Sequence, residues 1–83
     1  MYVHGKEVRI TKSAFEDMVK AGLPEHKVIS IIEEGRITRI GKAGKYYAEV
    51  GARRKIVRVV YVEYPKTIVV ISVNIRGRKD GMS

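Results

Sequence analysis

Two histidines, His4 and His26, are the only imidazoles in a chain that has no cysteine. They fall on separate elements and no thiol can join them, so no metal centre is expected and nothing calls for a cofactor. His26, near a helix start, reads as a surface residue. A serine nucleophile is equally unsupported. No Gly-x-Ser-x-Gly turn occurs, and Ser72 lies between Ile71 and Val73 inside an apolar run. The chemistry the residue types allow is at phosphate. Metal-independent RNA cleavage needs a base, an acid and cations around the scissile group. Tyr61 or Tyr64 would have to move the proton, with Arg54, Arg58 and Arg76 on the phosphate. A free phenol, with a pKa of about 10, is a poor base at neutral pH. Binding is therefore better supported than cleavage, and a ribonuclease is the more distant alternative.

The densest basic cluster is Arg53, Arg54 and Lys55, with Arg58 beyond it. Adjacent cations at a turn repel one another, and a bound anion relieves that repulsion. Gly41-Lys42-Ala43-Gly44-Lys45 falls short of a phosphate-binding loop. Arg39 stands where the first glycine is required, and Tyr46 where a Ser or Thr is required, so the segment reads as a hairpin turn.

The charge is unevenly distributed. The 83 residues hold 17 Lys plus Arg and 9 Asp plus Glu, a net charge of +8. Residues 1–35 carry five basic and six acidic residues, whereas residues 36–83 carry twelve basic and three acidic ones. A polyanionic partner suits such a balance. Gln is absent, Asn74 is the only Asn and 31% of residues are charged, a pattern of thermophilic proteins. The longest apolar runs, Val59 to Val62 and Ile68 to Ile71, are too short to span a bilayer, and the N-terminus lacks the apolar run of a signal peptide. The expectation is a soluble, cytoplasmic protein without membrane association.

These residues need elements to carry them. Tyr2 to Ile10 reads as a first strand interrupted at Gly5. Thr11 to Gly22 reads as a helix, with Ser13 and Glu16 spaced as a capping box, Phe15, Met18 and Val19 as one apolar stripe, and Gly22 as a left-handed terminus. A second helix starts at Leu23-Pro24, buries Val28, Ile29, Ile31 and Ile32, and ends at Gly35. The period then changes from helical to alternating. Arg36 to Ile40, Lys45 to Val50, Lys55 to Tyr64 and Thr67 to Arg76 read as four strands joined by turns. The expected fold is α+β: a helical hairpin packed on one face of an antiparallel β-meander. One domain covers residues 1–76, and 77–83 reads as a flexible C-terminal tail.

If Pro65-Lys66 is a two-residue loop, Glu63 pairs with Ile68, Val59 with Ser72, Val57 with Asn74 and Lys55 with Arg76. One face then shows Lys55, Tyr61, Ser72, Asn74 and Arg76. The other carries Ile56, Val60, Val62, Val69, Ile71, Val73 and Ile75 as the core, with Arg58 among them either snorkelling at an edge or reaching an acid such as Glu33 or Glu34. A one-residue slip inverts the assignment. The candidate nucleic-acid-binding residues are Arg53, Arg54, Lys55, Arg58, Arg76, Arg78, Lys79 and Tyr61: cations for phosphates and a ring for stacking. Of Tyr46 and Tyr47, alternation sends one outward.

Several stretches resemble a small family near the RelE/ParE/BrnT toxin superfamily. They are Thr11-Lys12-Ser13-Ala14 opening a helix, Glu34-Gly35 closing one, Arg58-Val59-Val60-Tyr61, and Ile68-Val69-Val70-Ile71-Ser72-Val73. The family's helical His falls on Ser13, and its two arginines fall on Asp17 and Ala21. The resemblance implies a RelE-like fold, contact with RNA more than DNA, and pairing with a small partner protein. It carries no nuclease activity over. An acidic partner protein of toxin–antitoxin type, or a second copy, is the alternative partner.

Overall fold

A computed structural model describes residues 2–52 and 55–77. The chain begins with a tight hairpin: β1 (Tyr2–Val3) pairs antiparallel with β2 (Lys6–Ile10). His4 and Gly5 form its turn, both with positive φ (54° and 77°), the backbone a two-residue hairpin of right-handed twist demands. Two helices follow, α1 (Lys12–Ala21) and α2 (Glu25–Glu34). The chain then meanders through β3 (Arg36–Ile40), a 3-10 turn at Lys42–Gly44, β4 (Lys45–Ala52), β5 (Lys55–Glu63) and β6 (Thr67–Gly77).

The α+β architecture is as expected, but the sheet is not purely antiparallel. Its six strands run in the order β1-β2-β6-β5-β4-β3 and curl into a half-barrel. The helices carry the chain across the sheet to its far edge. The meander walks back from there until β6 lies parallel to β2, Val8 opposite Ile68 and Ile10 opposite Val70.

Local chemistry sets the helix ends. The N-cap of α1 is Thr11, whose Oγ1 accepts the N–H of Ala14; Ser13 lies inside the helix, so the expected capping box with Glu16 does not form. Gly22 ends α1 with φ 65°, its N–H donating to Val19 O while Leu23 N–H donates to Met18 O. Gly35 acts differently. Its φ is −68°, and what excludes a side chain there is space: a Cβ would run into the carbonyl oxygens of Ile31 and Glu49. That contact seats the end of α2 against β4.

One face of the sheet packs on the helices. Ala14, Met18, Val28 and Ile31 meet Ala48, Val57, Val59, Tyr61, Ile68, Val70 and Val73 in a single core. Of the apolar stripe expected on α1, Phe15, Met18 and Val19, only Met18 takes part. Met18 is 3% exposed, whereas Phe15 is 55% and Val19 64% exposed.

The register departs from expectation at one residue. Glu63 pairs with Ile68 as the two-residue loop requires, and Tyr64 N–H donates to Thr67 O across it. Ser72 then pairs with Val60 and Val70 with Tyr61, so Ile71 is an extra residue, a β-bulge. Beyond it Val59 faces Val73, Val57 faces Ile75 and Lys55 faces Gly77. Ser72, Asn74 and Arg76 consequently share a face with Ile56, Arg58, Val60 and Val62, while Val57, Val59 and Tyr61 enter the core. The expected faces of β5 are inverted.

Among the described residues no helix is long and apolar enough to cross a membrane. Of the expected tail, Gly77 belongs to β6 and residues 78–83 lie outside the described residues.

Candidate nucleic-acid interface

The face of the sheet that carries no helix is built by alternation. On β4, Tyr46, Ala48 and Val50 sit opposite Tyr61, Val59 and Val57 on the helix side, so Lys45, Tyr47 and Glu49 project the other way. Their neighbours on β5 are Val62, Val60 and Arg58. Beside these runs the row Ser72, Asn74 and Arg76 of β6. Arg36 on β3, opposite Glu49, and Arg9 on β2, opposite Val69, extend the surface to both sides.

Among the described side chains five cations therefore share this face with two carboxylates, Glu7 and Glu49, and both carboxylates are engaged. Glu49 accepts from Arg58 Nε at 2.6 Å, a part-buried contact, and the Arg58 guanidinium also stands 5.7 Å from the Tyr47 ring centroid. Glu7 lies 3.5 Å from Arg9 Nε, and both are well exposed. Arg36, Lys45 and Arg76 make no ion pair among the described residues. Asn74 Nδ2 donates to Ser72 Oγ at 3.3 Å, which leaves donors and acceptors of both open to solvent.

The candidate residues divide into three groups. Arg58 and Arg76 come together on the helix-free face, Arg58 paired with Glu49 and not with Glu33 or Glu34. Lys55 and Tyr61 lie on the other face: Lys55 is exposed at the strand end, but Tyr61 is 5% exposed and stacks on Tyr46, ring centroids 5.5 Å apart. Its ring is core and is not presented for base stacking; the outward ring on β4 is Tyr47. Arg53, Arg54, Arg78 and Lys79 lie outside the described residues. Sequence reasoning missed Arg9, Arg36 and Lys45, and it left open which of Tyr46 and Tyr47 is the outward ring. The alternation of Lys45-Tyr46-Tyr47-Ala48-Glu49 held the signal for Lys45.

The arrangement suits anion binding better than proton transfer. Burial, the Glu63 carboxylate and Tyr46 push the Tyr61 hydroxyl above its usual 10.0, away from the range of a useful base. Tyr64 is exposed at the β5–β6 loop. Among the described residues no three His, Asp or Glu side chains gather in a way that could hold a metal ion.

No protein-family model matches the chain, and no curated protein and no solved structure matches it.

Proposed function

We propose that this protein is a nucleic-acid-binding domain of RelE-like character that holds RNA on the helix-free face of its sheet without a catalytic centre of its own. The observation that carries the reading is the charge of that face: Arg9, Arg36, Lys45, Arg58 and Arg76 stand against two carboxylates that are already occupied. Guanidinium groups suit phosphate because their forked donors match its oxygens. Ser72 and Asn74, in line with Arg76, offer hydrogen bonds of the kind a ribose 2′-hydroxyl accepts and donates. The preference for RNA also draws on the resemblance of residues 10–75 to the RelE/ParE/BrnT superfamily. The region around Arg58 and Asn74 supplies contacts.

The test is a titration of labelled single-stranded RNA and the matching DNA at several salt concentrations. Binding that weakens with a log–log slope of about −0.7 per phosphate neutralised supports the reading. Undetectable binding at low salt, or binding indifferent to salt, overturns it.

A further inference from the structure

The outward flank of α1 is apolar where a solvated helix is polar. Phe15 is 55% exposed and Val19 64% exposed, and together with Glu16 and Lys20 they line one shallow depression. Beside it a groove of about 430 Å³ runs between the helices, lined by Phe15, Val19, Leu23 and Pro24 among others. A projecting aromatic ring thus stands next to a groove of apolar walls, and nothing in the described part of the chain covers either.

We infer that this flank joins two copies of the chain, α1 packing antiparallel on α1 about a two-fold axis beside Val19. The helix is self-complementary in that arrangement. Residues whose numbers sum to about 36–38 come opposite each other, which follows from antiparallel packing on a common axis. Phe15 of each copy then meets Leu23 of the other and enters the groove between the helices, and Val19 meets its own copy across the axis. Glu16 of each copy meets Lys20 of the other, two ion pairs from one pairing rule. Glu16 and Lys20 are both exposed and form no ion pair among the described residues.

Charge also selects the occupant. Two molecules of net charge +8 repel, and the repulsion is greatest between their sheets. Residues 1–35, which contain both helices, carry six acidic against five basic residues, so this side can approach its own copy without that penalty. The contact leaves both helix-free sheet faces outward and does not depend on what they bind. A surface centred on one ten-residue helix is smaller than a standard interface, which places the dimer in the micromolar range.

Sedimentation velocity or light scattering of the full chain, from about 5 to 500 µM, measures the association. Wild type is expected to shift from monomer to dimer within that range. Val19→Asp, at an exposed position where the fold tolerates it, is expected to stay monomeric with an unchanged circular-dichroism melt. Glu16→Lys and Lys20→Glu each place like charges opposite one another twice, and each is expected to weaken the dimer at least fivefold. The double exchange, Glu16→Lys with Lys20→Glu, restores opposite charges and is expected to bring the dimer back. Wild type that stays monomeric throughout overturns the inference. So does a dimer indifferent to Val19→Asp, or a double exchange no better than its single parents.

Discussion

Arg58 and Glu49 face each other across β5 and β4, with 2.6 Å between Nε and the carboxylate oxygen, in the middle of the surface that carries most of the described sheet cations. The pair is half-screened by solvent, and it ties up one guanidinium and one carboxylate at the place where a phosphate would sit. Glu49→Gln removes the carboxylate charge and frees the guanidinium. RNA affinity at low salt is expected to rise several-fold, with a salt slope steeper by about 0.7, one further phosphate contact. The stability cost is small, about 1 kcal/mol or less, because exposed and part-exposed ion pairs contribute little. A titration and a urea melt of the variant check both numbers; weaker RNA binding by a well-folded Glu49→Gln protein would argue against the proposed face.

Position should matter more than total charge. Arg36→Ser with Arg76→Ser removes two cations from the helix-free face, neither of which has an ion-pair partner among the described residues. Lys12→Ser with Lys27→Ser removes two from the helix side, at equal net charge. The first pair is expected to flatten the salt slope by about 1.4 and the second to leave it nearly unchanged. Equal effects from both pairs would mean a diffuse electrostatic attraction with no particular face.

The elements were more legible than the faces. Gly22, Pro24 and Gly35 punctuate both helices, and the switch from helical to alternating period marks the meander, because these signals are local. β5 was ambiguous because it is apolar on both sides, Val57 and Val59 on one and Val60 and Val62 on the other. Alternation alone does not choose between them. The bulge at Ile71 then moves Ser72, Asn74 and Arg76 to the face of Arg58, and a single extra residue in an all-apolar run leaves no compositional mark. Tyr61 was misplaced by the same shift. The parallel pairing of β2 with β6 depends on a contact between residues some sixty positions apart, which short-range patterning does not encode.

Tyr61 gives the fold an alkaline limit. Its hydroxyl is held above 10.0 by burial, Glu63 and Tyr46, so the folded chain keeps a proton that the unfolded chain releases first. Fewer protons on the unfolded state mean that stability falls as pH rises past about 10, and the contribution is complete below that value. The thermal midpoint of wild type is expected to drop more steeply between about pH 9 and 11 than that of Tyr61→Phe, which cannot ionise there. Tyr61→Ala, which opens a cavity beside Tyr46, is expected to cost about 3–5 kcal/mol at neutral pH. Parallel pH profiles for wild type and Tyr61→Phe would remove Tyr61 from the account of alkaline unfolding.

Asp17 completes the bulged strand. β2 ends at Ile10, and its pairing with β6 extends only to Val70, so the edge of β6 beyond that point has no strand beside it. The helix fills the gap: the Val73 N–H donates to Asp17 Oδ2 at 3.2 Å, and Val73 itself is 4% exposed. A backbone N–H enclosed this way needs an acceptor, since leaving it unpaired costs about 1–3 kcal/mol. Asp17→Ala is therefore expected to lower the unfolding free energy by that amount, and Asp17→Asn, which keeps an amide oxygen at the same reach, to recover most of the loss. Amide exchange separates this from a general weakening of α1. Val73 should lose protection in Asp17→Ala by more than Val59, which faces it across the sheet and has its own environment unchanged. A uniform loss at both amides would assign the cost of the substitution to the helix, and the carboxylate would then be no cap for the strand.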